Sequence, residues 1–240
     1  MDPVTTDMPL PPGRQRKKAP PARRPLDYTQ IVDAALKVLD AEGLDGLSMR
    51  RVAQELGTGA ASLYAHIQNK EELVDAVIDR VIGEIEMPPP APAGADWRAE
   101  FSELAYAMRA ALSAHRDISR ALWGRIPFGP NAMVVSERCF GILRRIGLPD
   151  QLIGWAGPLL FDYITADAYE GSLYAERFGD EASGLAYFAS VFKYFASLPP
   201  DRFPNMIAMA QAITTGNGDE RFAFGLNVLL AGLLAQVPSP

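Results

Sequence analysis

The stretch GLDGLSMRRVAQELGTGAASLYAHIQNKEEL, residues 43–73, decides how the chain folds. Two short segments with apolar residues at helical spacing are separated by a glycine turn, and a third opens on an asparagine. That is the pattern of a helix-turn-helix, whose second helix lies in the DNA major groove. The first segment starts at Ser48, a helix cap, and runs to about Leu56 with Val52, Ala53 and Leu56 inward. Small Ala53 lets the next helix cross closely, and Gly57 makes the turn. The second segment covers about Ala60 to His66, anchored by Leu63. Asn69 caps the third, with Glu72 at the capping-box position and Glu71 and Glu72 suited to the helix dipole.

Upstream, Ile31, Ala34, Ala35, Val38 and Leu39 fall on one stripe of a helix from about Tyr28 to Glu42. Asp27 caps it, with Gln30 three residues on, and Gly43 ends it. Downstream, the fourth helix is apolar on two sides: Leu73, Ala76, Val77 and Val81 on one, Ile78, Ile82 and Ile85 on another. A helix buried on two sides joins two bodies. Residues 87–94, MPPPAPAG, then form a stiff break.

From Asp96 the pattern predicts helices over 96–114, 117–124, 130–146, 150–176, 181–197, 203–213 and 219–236. The 150–176 and 219–236 segments are apolar over wide arcs, which suits core helices that also pack against another subunit. Pro158 is expected to end or kink its helix near Gly157. The fold class expected is all-α. A three-helix DNA-binding domain over 26–73 is joined by a connecting helix and linker, 74–94, to a helical effector-binding and dimerisation domain, 95–240. Residues 1–25 are proline-rich and basic, with Arg14, Arg16, Lys17, Lys18, Arg23 and Arg24. They read as a disordered arm, either a solvated tail or a source of phosphate or minor-groove contacts.

Composition limits the alternatives. A chain of 240 residues that is 48% hydrophobic has room for a sizeable core. It contains no run of 18 apolar residues and no apolar leader, so a cytoplasmic location is expected. The single cysteine, Cys139, excludes an intrachain disulfide and fits a reducing compartment. Two histidines and one cysteine leave little for a metal site, and neither metal nor cofactor is expected. The net charge of −6 divides unevenly: residues 1–70 carry +2 and residues 71–240 carry −8. The basic surplus sits with the DNA-reading motif, and the acidic remainder is repelled by phosphates. No GxSxG, phosphate loop, HExxH or Cys–His constellation is present, which disfavours an enzyme with an accessory helix-turn-helix.

The short reading helix leaves Ala60, Ala61, Ser62, Tyr64 and Ala65 facing outward. Ser62 and Tyr64 can donate to phosphates, while Ala60 and Ala61 offer methyl contacts to thymine. Thr58 and Gly59 stand at the turn, where backbone N–H groups near a helix N-terminus favour an anion. Tyr64 has a plainer reading as a core aromatic, and His66 as a helix cap.

The AxxxLxxxG-type first helix, LSMRRVAQELG and SLYAHIQNKEEL together resemble the TetR (tetracycline repressor) family of bacterial regulators. DWRAEFSELAYAMRAALSAHRD and RFAFGLNVLLAGL resemble that family's tetracycline-repressor-like C-terminal domain, so the resemblance covers roughly residues 26–236. It implies a homodimeric repressor released from a palindromic DNA operator by a small molecule; an effector-independent or activating regulator is the alternative. It adds Arg50, His66 and Lys70 to Ser62 and Tyr64 as DNA contacts. With composition, it points to Leu104, Met108, Leu122, Trp123, Ile126, Phe128, Val135, Arg138, Ile153 and Tyr169 as effector contacts, each with the plainer reading of a core residue, around a cavity expected between residues 96 and 180. Arg138, Asp162 and Asp167 would orient a polar group or pair with each other. Leu122 fills the place of a metal-binding histidine in the tetracycline-binding members, so a metal-independent, large and partly aromatic ligand is expected.

Overall fold

The structure is a computed structural model and describes residues 26–90, 92 and 94–238. The expected N-terminal arm, residues 1–25, lies outside them. The described residues form eleven helices and no strand. The N-terminal helices are α1 (Tyr28–Gly46), α2 (Met49–Glu55), α3 (Ala60–Leu63) and α4 (Lys70–Ile82). The body comprises α5 (Trp97–Ser113), α6 (Ile118–Leu122), α7 (Pro130–Arg145), α8 (Asp150–Phe178), α9 (Glu181–Ala196), α10 (Pro204–Thr214) and α11 (Gly218–Leu234).

Local chemistry sets the N-terminal boundaries. Asp27 accepts from the Gln30 backbone N–H at 2.8 Å while the Gln30 side chain accepts from Asp27, a complete capping box. Gly43 breaks α1 at φ +75° before one further turn completes it. A side chain there would also strike Asp117, 2.7 Å from an added Cβ. Ser48 caps α2, and Gly57, at φ +61°, turns the chain into α3. Helix α3 is shorter than expected: only four residues are α-helical, and the chain closes through a turn in which His66 N–H bonds Leu63 C=O. Asn69 caps α4 as expected, but Glu72 reaches one residue further back, accepting from Gln68 N–H at 2.7 Å.

One apolar core runs through both parts, and α4 contributes to it on both sides with Leu73, Val74, Val77, Ile78, Val81 and Ile82. Pro158 does not end its helix, and α8 continues through it for 29 residues. Pro158 and the residue four before it, Gly154, both lie on the exposed face, so the carbonyl that proline leaves unbonded is open to solvent. Arg109 of α5 ties the body together, pairing with Asp167 of α8 and Asp219 of α11 and lying 4.7 Å over the Phe222 ring. Tyr163 of α8 stacks on Phe222 and donates to its carbonyl at 2.9 Å. Gly225 makes room, since an added Cβ would lie 2.2 Å from the Tyr163 hydroxyl. Helices α9 and α10 pack on each other, and α9 has no buried residue despite its apolar sequence.

Candidate nucleic-acid interface and effector site

Adjacent residues on α3 have opposite surroundings. Leu63 is fully buried, whereas the Tyr64 side chain stands out at 54% exposure, so Tyr64 is not a core aromatic. Gly59, Ala61, Ser62, Ala65 and His66 are exposed around it; Thr58 and Ala60 are half-buried. Thr58 donates to the Ser62 hydroxyl at 3.2 Å, which holds Ser62 at the start of the helix. Arg50 is exposed and forms no ion pair among the described residues, while its neighbour Arg51 is bound to Glu42 at 2.6 Å and Glu55 at 3.1 Å. Those carboxylates raise the Arg51 guanidinium above its usual range and occupy its donors. Lys70 is exposed, with a long 3.4 Å bond to Leu44 C=O and the Asp45 carboxylate within electrostatic reach. The arrangement leaves the hydroxyls of Ser62 and Tyr64, the methyl of Ala61 and the cations of Arg50 and Lys70 exposed.

The ten residues expected at an effector site separate. Leu104, Met108, Leu122, Val135 and Ile153 are buried in the core, and Tyr169 is half-buried. Trp123, Ile126 and Phe128 project from the α6–α7 loop at 62%, 73% and 77% exposure. Arg138 turns to the proline linker, donating to Pro89 C=O at 2.9 Å and pairing with buried Glu100 at 2.7 Å; Arg145 also pairs with Glu100. The Nε of Arg138 is buried without a hydrogen-bond partner among the described residues. Asp167 pairs with Arg109 rather than Arg138, and Asp162 is exposed. Cys139 packs as a small apolar group, and burial pushes its thiol up to about 12.

Two cavities among the described residues bear on the effector site. One of about 420 Å³ is lined by Met87, Val134, Glu137, Arg138, Ile142 and Arg145. Another of about 900 Å³ lies where α8 to α11 meet, with Tyr174, Phe178, Leu185, Phe188, Ile213 and Phe224 in its wall. Neither is walled by the set expected from the sequence; Arg138 alone belongs to both that set and a cavity. The reason is packing: Leu104, Met108, Leu122, Val135 and Ile153 fill the space between α5, α6, α7 and α8, and Trp123, Ile126 and Phe128 lie exposed on a loop that contains Gly124 at φ +75°.

The residues that sequence reasoning missed hold that loop to α4. Glu71, Asp75 and Asp79 follow at i, i+4 and i+8 on one face of α4. Arg125, in the loop, pairs with Glu71 and, at 2.8 Å, with Asp75. Asp79 is buried and caps α7: it accepts from Ala132 N–H at 2.9 Å and from the Asn131 side chain at 3.0 Å. Gly129 is required beside it, because an added Cβ would fall 2.1 Å from the Asp79 carboxylate. The carboxylate spacing was visible in the sequence, but not its partners.

A glycine-turned pair of short helices with an exposed polar face, docked on a larger helical body, defines a helix-turn-helix DNA-binding regulator. Residues 31–77 match the family model for bacterial regulatory proteins of the tetR family, and residues 89–237 match the tetracyclin repressor-like C-terminal domain. The chain therefore belongs to the TetR family of transcriptional regulators. It is 34% identical over 225 residues to the HTH-type transcriptional repressor DrrR1 of Streptomyces coeruleorubidus, covering 92% of this chain and 81% of that one. It is 28% identical over 207 residues to the class G tetracycline repressor protein of Vibrio anguillarum, covering 86% and 93%. Among solved structures, ActR of Streptomyces coelicolor in its apo form matches with a TM-score of 0.80 at 44% identity, covering 90% of this chain and 98% of that chain. ActR in complex with actinorhodin matches with 0.81 at 45%, covering 90% and 99%. No described helix is long and apolar enough to cross a membrane.

Proposed function

We propose that this regulator is a homodimeric repressor, held on a palindromic operator and released by a large, partly aromatic small molecule. The observation that carries the reading is the α6–α7 loop. It offers Trp123, Ile126 and Phe128 to a ligand and is bound through Arg125 and Asp79 to α4, the helix that follows the reading unit. A ligand gathered by that loop, with Leu104, Met108, Leu122, Val135, Arg138, Ile153 and Tyr169 rearranging around it, would tilt α4 and alter the spacing of two reading helices. That coupling is ordinarily about 1–3 kcal/mol. Complexes of ActR with actinorhodin and (S)-DNPA support a small-molecule effector, and the repressor DrrR1 supports repression.

Two apolar stripes left bare in the single chain support a dimer: Trp155 and Leu159 on α8, and Phe224 and Val228 on α11. A two-fold pair would set the reading helices about 34 Å apart or somewhat more. Arg50, Thr58, Gly59, Ala60, Ala61, Ser62, Tyr64, His66 and Lys70 would then face the half-sites. The test is a titration of actinorhodin, followed by tryptophan fluorescence, into protein bound to a duplex selected from a random pool. Saturable binding with loss of the duplex is expected. Saturation without any change in duplex affinity would favour the effector-independent regulator.

A further inference from the structure

We propose that His115 is a proton-dependent latch that positions the DNA-reading helices on the body, so that operator affinity falls as His115 loses its proton. His115 stands in the turn after α5, with its side chain 14% exposed. Its Nδ1 lies 3.0 Å from Asp40 Oδ2 and 3.1 Å from Oδ1, and its Nε2 lies 2.7 Å from Glu84 Oε2. Asp40 belongs to α1 and Glu84 follows α4, so one ring joins the body to both helices that flank the reading unit. Ionised carboxylates only accept hydrogen bonds. Both ring nitrogens must therefore donate, which only the imidazolium does. A neutral ring would turn a lone pair toward one carboxylate and lose that anchor.

The surrounding charges are consistent with this. From α4, Arg80 donates to Glu84 at 2.6 Å and to Asp33 of α1 at 3.2 Å. From the same turn, Arg116 N–H donates to Asp40 at 3.2 Å, and its guanidinium bonds Ala41 C=O and lies 4.0 Å from Glu176 of α8. Asp117 accepts from Leu44 N–H at 2.8 Å and lies 3.5 Å from Arg120, which pairs with Asp45. The seam therefore loosens rather than opens when His115 is neutral. Burial lowers the His115 pKa, but the bonds to Glu84 and Asp40 outweigh it and hold the pKa above the usual histidine value. A raised folded pKa places the latch fully on below the unfolded value of about 6.5 and releases it as pH climbs through the folded value. At the acid end, Glu84 is held below the usual carboxylate range: burial works to raise it, but the His115 and Arg80 contacts prevail, so protonation of Glu84 does not release the latch near neutrality. A loosened reading unit must be ordered again on each half-site, which weakens binding.

The chain has two histidines, so His66→Gln leaves His115 alone. Affinity of that protein for a duplex selected from a random pool is measured by anisotropy from pH 6 to 9 at fixed ionic strength. A fall of about fivefold through a transition of one proton per subunit is expected, at the low end of ordinary coupling. Adding His115→Gln should flatten the profile. The same profile in both proteins, or affinity that rises with pH, would overturn the latch. An NMR titration of the His115 ring in the His66→Gln protein gives a reading that does not depend on the double variant. By reciprocity, bound duplex must raise the ring's midpoint. A midpoint that the duplex leaves unmoved overturns the proposal equally.

Discussion

Replacing Leu63 and Tyr64 one at a time separates folding from DNA recognition at neighbouring positions. Leu63 is fully buried and is the sole buried residue of α3. Its truncation leaves a cavity between α3 and the α1–α2 core, costing about 3 kcal/mol by the behaviour of buried leucines. In a chain of this size that lowers the melting temperature by roughly 6–12 °C. Tyr64 is 54% exposed, so Tyr64→Ala should cost under about 0.5 kcal/mol and barely move the melt. Its loss falls on binding instead. A hydrogen bond to a charged phosphate is worth about 1.5 kcal/mol, and a two-fold complex makes it twice, so operator affinity should drop about 100-fold. Differential scanning fluorimetry and a gel shift on the selected duplex measure the two effects. Tyr64→Ala with unchanged affinity would refute the contact. A large fall in melting temperature for Tyr64→Ala, or none for Leu63→Ala, would refute the assignment of inward and outward faces.

Lys70→Ala should lower the slope of log affinity against log salt by about 1 per subunit, read from gel shifts at several salt concentrations, and an unchanged slope places Lys70 away from phosphate. Gly225→Ala should destabilise the body by about 1–3 kcal/mol in a denaturant melt, because the Tyr163 hydroxyl must leave the Phe222 carbonyl; an unmoved midpoint would contradict that packing. Asp79→Ala should cost a similar amount, about 1–3 kcal/mol, by leaving the Ala132 N–H without its acceptor and the Asn131 side-chain amide with only the Asp79 backbone carbonyl, checked by the same melt. Phe224→Glu places a charge on the bare stripe of α11 and should yield a monomer by light scattering; a persistent dimer would move the interface elsewhere.

The reading unit was legible because its determinants are close in sequence. Ser48, Gly57 and Asn69 act on backbone within three or four residues of themselves, and the stripe of Ile31, Ala35 and Leu39 repeats at the helix period. The body's helices were legible for the same reason, with glycines and prolines between them. Legibility failed where solvent or geometry intervened. Pro158 is a local breaker, yet α8 continues through it on an exposed face, where the carbonyl that the ring leaves unbonded is open to solvent. That Trp123, Ile126 and Phe128 are exposed on a loop was not legible either, because composition does not say which way a loop faces.

By itself the sequence determined the helices, their caps and turns, the two-sided burial of α4 and the family to which the chain belongs, since each depends on residue type at short spacing. Which polar groups meet was decided only by the tertiary structure. Asp79 meets Asn131 across 52 positions, His115 meets Asp40 across 75, and Arg109 meets Asp219 across 110. At such separations a pairing depends on how helices cross and which faces they bury, and an aspartate or histidine carries the same side chain whether it faces water or a partner.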